Sequence, residues 1–336
     1  MFSEVKFPVP WGHVAAKAWG PPQGRPVLCL HGWLDNANTF DRLIPLLPKD
    51  CCYVAMDFSG HGLSSHRPAG LPYHFLDYVS EVCRVAAALQ WRRFTLMGHS
   101  MGGSVAGMFC LLYPEMVDKL ILLENLGFLL APEETEEWLK SKRMVIDRLL
   151  SLEAKQRPPK ARSPEAALQR LLEANRHLTA EGGAILLQRG ATVTPAGLVY
   201  NRDMRVRTQS QESLTVEQCV KLLQKIQDRV LIILSCVAVR DSRGNEKMCW
   251  KLRNENREKQ HHCGGRSARP YRVCPFEPGT SPCSITCSTS TRWTPDSTQA
   301  RQQECCCETA TGGIRVYPER AHPASRGAWE PLCAPE

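Results

Sequence analysis

A serine hydroxyl becomes a nucleophile only where a base can take its proton and N–H donors can receive the oxyanion that its attack creates. Gly98-His99-Ser100-Met101-Gly102 has the glycine–serine–glycine spacing this chemistry needs. An apolar run precedes it and a helix-length segment follows, and small flanking residues permit a sharp turn that holds the hydroxyl clear of the backbone. The Met101 backbone N–H, just after the serine, is one candidate oxyanion donor. The other is the Trp33 N–H, in the turn that opens at His31-Gly32. An acyl-enzyme formed on Ser100 from an ester or thioester, and released by water, is what these groups would support.

Other polar residues sit at neighbouring turns. His31 reads as a histidine that braces its own turn rather than as the base. His99 lies inside the serine turn and points away from where a base must be. Asp57, Gly60 and Gly62 form a second tight turn at a strand end, a closure of the fold on the sheet edge where such sites occur.

The elements that must position these residues are legible as apolar runs. Val27–Leu30, Tyr53–Met56, Phe94–Met97 and Leu120–Leu123 are continuous rather than alternating, as strands covered on both faces should be. Asp77–Leu89 puts Tyr78, Val82, Val85 and Leu89 on one helical face, and Ser104–Tyr113 forms a second helix that stops at Pro114. Strand, turn and helix repeated at this spacing imply an α/β fold built on a mostly parallel sheet.

After Gly127 the pattern becomes helical. Pro132–Leu152 is a long amphipathic helix with four glutamates near its N-terminal end. Pro158-Pro159 breaks it, Ser163-Pro164-Glu165 opens another, and Leu214–Gln227 is a third. Val230–Leu234 then returns as a buried strand. The organisation expected is a core over 1–130, a helical lid over 131–228, a core strand over 229–235 and an atypical tail over 236–336. The sheet is expected to stop after 230–234. The substrate would sit between sheet and lid, with Trp138, Leu139, Met144 and Leu149 either lining that pocket or packing in the core.

The tail is a different material. Leu, Ile, Val and Phe make up 67 of the first 235 residues and 9 of the last 101, too few to offset the entropy of ordering the tail, so disorder is expected there. It also holds ten of the sixteen cysteines. No Cys-x-x-Cys pair occurs, and Cys305-Cys306-Cys307 cannot easily share one tetrahedral ion, so no metal and no cofactor is expected. The formal net charge of +8 is spread over both signs without a basic run, which argues against a nucleic-acid partner. The first residues lack a secretory pattern and no apolar stretch is long enough to span a bilayer, so a cytoplasmic protein with reduced thiols is expected.

The turns His31–Asn36, Asp57–Ser65 and Gly98–Gly103, together with Glu133–Lys140 and Gly197–Asp203, resemble the vertebrate serine hydrolase-like proteins of the α/β-hydrolase superfamily. The resemblance covers about residues 1–234. It implies an intracellular, esterase-like hydrolase in perinuclear and peroxisomal vesicles, with Ser100 as nucleophile. A serine rather than an aspartate at that position disfavours the dehalogenase and epoxide-hydrolase branches. The fold's order is nucleophile, then acid, then histidine. Glu124 suits an acid after the strand ending at Leu123, and Asp241 one after the strand ending at Leu234; absence of a working acid is the third possibility. The superfamily's C-terminal Gly-x-His turn is missing: His261, His262 and His322 follow Leu234, none of them in that context, and a weak strand over Ile314–Tyr317 makes His322 the best placed. An alternative exon or a reading-frame change from about Ser235 would account for the tail. A catalytically inactive isoform that binds without hydrolysing, or is unstable, is the alternative function. The sequence is silent on oligomeric state.

Overall fold

Val27, Cys29, Tyr53, Ala55 and Met97 alternate along their strands with Leu28, Leu30, Val54, Met56 and Leu96, so the two sets point to opposite faces of one sheet. Both sets are buried, which is why these strands read as continuous apolar runs. The computed structural model describes residues 1–132, 134–155, 160–175, 178–208, 213–226 and 230–235, with the backbone of 271–276. These residues belong to one compact unit, Met1–Phe276.

The strands are β1 (Phe2–Val9), β2 (Gly12–Trp19), β3 (Arg25–Leu30), β4 (Cys51–Met56), β5 (Phe94–His99) and β6 (Val117–Leu123). After them come β7 (Leu129–Leu130), β8 (Ala191–Thr194), β9 (Gly197–Tyr200), β10 (Ser213–Leu214), β11 (Val230–Ser235) and β12 (Tyr271–Phe276). Eight of them form the main sheet in the order β1-β2-β4-β3-β5-β6-β11-β12. The β1-β2 and β2-β4 pairs are antiparallel and all others are parallel. Leu30 sits opposite Gly98, and Gly98 opposite Leu122, so β3, β5 and β6 end at one edge. The turns at His31, Asp57, Ser100 and Glu124 meet there.

Helix α1 (Phe75–Ala88) buries Tyr78, Val82 and Val85, the face read from the sequence. Helix α2 (Met101–Leu112) follows β5 and buries Val105, Ala106 and Phe109 against the same face of the sheet. The lid contributes α3 (Thr135–Lys155), α4 (Pro164–Ala174), α5 (Ala180–Gly190) and α6 (Val216–Leu223). Ser163 caps α4 by accepting the Ala166 N–H, and Thr215 with Gln218 closes a capping box on α6. The expected helix over 214–227 is shorter, because Leu214 pairs with Leu130 in a two-stranded parallel ribbon of β10 and β7.

Two features escape a search for apolar runs. The β1–β2 hairpin has β1 largely exposed, so its sequence alternates, and Gly12 turns it at φ 138°. The sheet also does not stop at 230–234. Strand β12, inside the segment expected to be disordered, pairs in parallel with β11, with Val230 opposite Tyr271 and Ser235 opposite Phe276. It contains no apolar run of four and includes Pro275, a residue tolerated on an edge strand, which is where β12 lies. An edge strand here gives the β11 backbone a hydrogen-bonding neighbour.

Candidate active site

Strand β5 ends at His99 and α2 begins at Met101, so one residue makes the whole turn. Ser100 makes it at φ 49°, ψ −119°, a conformation that costs a non-glycine residue roughly 1–3 kcal/mol. Its N–H donates to Leu123 O (3.0 Å), while its carbonyl accepts from Gly103 and Ser104 in the first turn of α2. The glycines are steric requirements. A Cβ on Gly98 would overlap the Gly102 carbonyl, and a Cβ on Gly102 would overlap that of Leu30. The result holds a half-buried serine at the sheet edge and aims the start of α2 at the same place.

The candidate oxyanion donors lie on either side. Neither the Met101 nor the Trp33 backbone N–H has an acceptor among the described residues. The Trp33 turn is held open by its neighbours. Leu34, at φ 64°, donates its N–H to His61 Nε2 (3.3 Å), and the Trp33 indole donates to Val206 O (3.0 Å). His31 accepts the Phe58 N–H at Nε2 (3.1 Å) and its Nδ1 donates to Gly32 O (2.7 Å). With both ring nitrogens engaged and burial holding its pKa well below the ordinary range, His31 is a brace, as its position in the sequence indicated. His61 does the same for the next turn, with burial lowering it to about 4. Nothing in the sequence pattern separated His61 from an ordinary turn residue.

Asp57 does more than close a turn. One carboxylate oxygen accepts the Ala37 N–H (2.7 Å); the other accepts the Leu63 N–H (2.8 Å) and Arg189 Nε (2.8 Å) from lid helix α5. Arg189 also reaches Glu4 (2.6 Å). Asp57 is fully buried; burial pushes its carboxyl up, against the pull of the guanidinium. Asn36 and Asn38 donate to the carbonyls of Leu186 and Ile185, so the lid is bonded to the turn that carries Trp33. These contacts span more than a hundred residues of sequence and leave no local signal.

Behind the Asp57 turn, Glu81 of α1 is fully buried. It accepts the Ser59 N–H (2.9 Å) and lies 3.5 Å from Arg67. Burial raises its carboxyl to about 7. The folded protein therefore binds a proton that the unfolded chain has lost between about 4.5 and 7, and Glu81 contributes stability that falls as pH rises through that window. At about 1.4 kcal/mol per pH unit the change is roughly 3 kcal/mol. His31 and His61, buried neutral, act in the opposite sense and lose their contribution below about 6.5. The difference in unfolding free energy between the natural protein and Glu81→Gln isolates the carboxyl, and is expected to decline from pH 4.5 to 7.5. A pH-independent difference in urea titrations would contradict this.

Of the acid candidates, Glu124 directly follows β6. It is half-buried at φ 53°, and its N–H donates to Ile233 O (2.8 Å), so it stands at the edge one strand from Ser100. Asp241 lies outside the described residues, as do His261, His262 and His322. Among the described residues the Ser100 hydroxyl has no hydrogen-bond partner, and no group of three or more His, Cys, Asp or Glu side chains could hold a metal ion. The six cysteines described are free thiols, and among the described residues no helix is long and apolar enough to cross a membrane.

A cleft opens beside the Trp33 turn, lined by Leu34, Asp35, Leu171, Leu186, Tyr200 and Arg202. None of the four lid residues expected as lining or core is fully buried or lines this cleft. Helix α3 buries no residue; Trp138, Leu139 and Met144 are exposed and Leu149 is half-buried. The apolar wall comes instead from α4 and α5, whose leucines face the turn that the Asn36 and Asn38 bonds hold in place.

A family model described as alpha/beta hydrolase fold matches residues 25–235. Serine hydrolase-like protein 2 of Homo sapiens is 54% identical over 247 residues, covering 73% of this chain and 79% of that protein. Serine hydrolase-like protein of Mus musculus is 52% identical over 236 residues, 69% of this chain and 76% of the relative. Among solved structures, a hypothetical protein of Pseudomonas aeruginosa is similar with a TM-score of 0.66 and 29% identity, over 82% of this chain and 91% of that one. The thioesterase domain of the curacin biosynthetic pathway shares the fold with a TM-score of 0.65 and 22% identity, over 82% and 93%.

Proposed function

The chain belongs to the alpha/beta hydrolase fold family, and we propose that it is a serine hydrolase cleaving a small ester or thioester through an acyl-enzyme on Ser100. The observation that carries this reading is Ser100 itself, held at positive φ between β5 and α2 with two unengaged N–H groups at the same sheet edge. In the proposed reaction the Ser100 oxygen attacks the acyl carbon while a base removes its proton. The carbonyl oxygen becomes an oxyanion facing the Trp33 and Met101 N–H groups. The C–O or C–S bond then breaks, and the alcohol or thiol leaves with that proton. Water attacks the acyl-serine, giving the carboxylic acid and restoring the hydroxyl. Glu124 and Asp241 are the acids offered for orienting the base; the base itself falls to no described residue, and His322 is the candidate in the tail. Cytoplasmic placement, with the vesicular sites the resemblance implies, belongs to the same reading.

A second reading, a form that binds without turning over, is favoured by one observation: Ser100 Oγ has no hydrogen-bonded base among the described residues. Pre-steady-state kinetics with p-nitrophenyl butyrate separates the two. The hydrolase reading expects a burst of p-nitrophenol approaching one equivalent per active chain, followed by slower turnover. Well-folded protein with neither burst nor turnover supports the second reading.

A further inference from the structure

Three lid arginines reach the core, and one differs from the other two. Arg189 is held by Asp57 and Glu4, and Arg205 donates to Asp203 and to the carbonyls of Arg67, Pro68 and Leu71. Arg202 lies in the cleft with its guanidinium over the Tyr200 ring (4.8 Å), its Nε buried without a partner, and no carboxylate within 4.0 Å among the described residues. One further buried atom without a partner lies against a residue of the cleft wall. His99 Nδ1 is buried without a hydrogen bond, 3.8 Å from the half-buried Asp35 carboxylate that lines the cleft. A buried guanidinium nitrogen left unpaired in a cleft is a group whose missing partner a ligand can supply.

We propose that Arg202 is the anion-recognition residue of this cleft, and that the substrate is an ester or thioester carrying a carboxylate away from the bond that is cleaved. The proposal rests on the hydrolase reading for its reaction, but not for its binding site. A guanidinium stacked on an aromatic ring keeps its edge for a bidentate oxygen ligand, which suits a carboxylate. Exposed Arg170 and Arg207 lie near enough to act on Arg202 electrostatically, so the approach to the cleft is positive. Asp35 is the acidic group that lines the cleft. It lies beyond ion-pair distance of Arg202, and burial lifts its carboxyl to about 6 against the pull of that guanidinium, so the attraction for an incoming anion has to come from Arg202 with Arg170 and Arg207. One half-buried guanidinium balances a single negative charge, hence a carboxylate rather than a phosphoryl dianion. The position fits the chemistry: Leu34 and Asp35 follow Trp33 directly, and His99, against Asp35, immediately precedes Ser100.

The test compares the mono-p-nitrophenyl ester of adipate with p-nitrophenyl hexanoate, which has the same acyl length without the charge. It uses the full chain and its Arg202→Met and Arg202→Lys variants. Arg202→Met is expected to lower the adipate-to-hexanoate ratio of kcat/KM at least tenfold, with Arg202→Lys restoring part of it; an unchanged ratio overturns the proposal. Calorimetric binding of adipate to Ser100→Ala reads the site without turnover. Adipate is expected to bind, and to lose binding when Arg202→Met is added. If neither ester is hydrolysed yet adipate binds through Arg202, the hydrolase reading fails and the anion site stands. If both esters are hydrolysed and adipate does not bind, the anion site fails alone. Inorganic phosphate binding as tightly as adipate would overturn the choice of carboxylate.

Discussion

Ser100→Ala is expected to lower the turnover of p-nitrophenyl butyrate by roughly 10⁴-fold or more, because removing the nucleophile of a cooperating set costs about as much as removing the set. Alanine keeps the Cβ that makes φ 49° costly, so the strained turn and the contacts around it are retained. Unfolding free energy should therefore stay within about 1 kcal/mol of the natural protein. Loss of activity with stability preserved separates a chemical role for the hydroxyl from a structural one. Turnover unchanged in Ser100→Ala would mean that the hydrolysis arises elsewhere.

The largest effect on stability is expected at Asp57. Asp57→Ala leaves the Arg189 guanidinium, 3% exposed, without its buried carboxylate and removes the acceptor for the Ala37 and Leu63 N–H groups. Breaking a buried pair from one side costs about 3–5 kcal/mol, and each orphaned N–H adds to it. Asp57→Asn keeps the volume and one acceptor oxygen, and should cost less. Asp57→Ala also removes one of the bonds between α5 and the Trp33 turn, leaving those of Asn36 and Asn38, so ester hydrolysis should weaken under conditions where the protein is still folded. Urea unfolding of both variants measures this. A cost below about 1 kcal/mol for Asp57→Ala would show that Glu4 alone satisfies Arg189.

Why some of this was legible and some was not follows from the range of the interactions. The central strands were readable because burial on both faces leaves a continuous apolar run, and the serine turn because one-residue geometry demands glycines at fixed offsets. The Ser163 cap of α4 is equally local. Arg189, Arg202 and His61 take their roles from partners or surroundings distant in sequence, where composition and period carry no information. The amphipathic pattern of α3 was visible, but not that its apolar residues stay out of the core. Strand β12 was hidden by an arginine and a proline within six residues, which an edge position permits and a search for buried strands rejects.

The sixteen cysteines divide in the same way, six as thiols within the described core and ten beyond β11. The question the chain poses is whether its serine is activated: the Ser100 turn and two N–H groups without acceptors lie among the described residues, and no base hydrogen-bonded to Ser100 does. Incubation of the full-length protein with a fluorophosphonate probe, followed by mass analysis of its peptides, asks this directly. One phosphonyl adduct per chain is expected, on Ser100, and none in Ser100→Ala. Folded protein that stays unlabelled, or an adduct on another residue with Ser100 free, would contradict it.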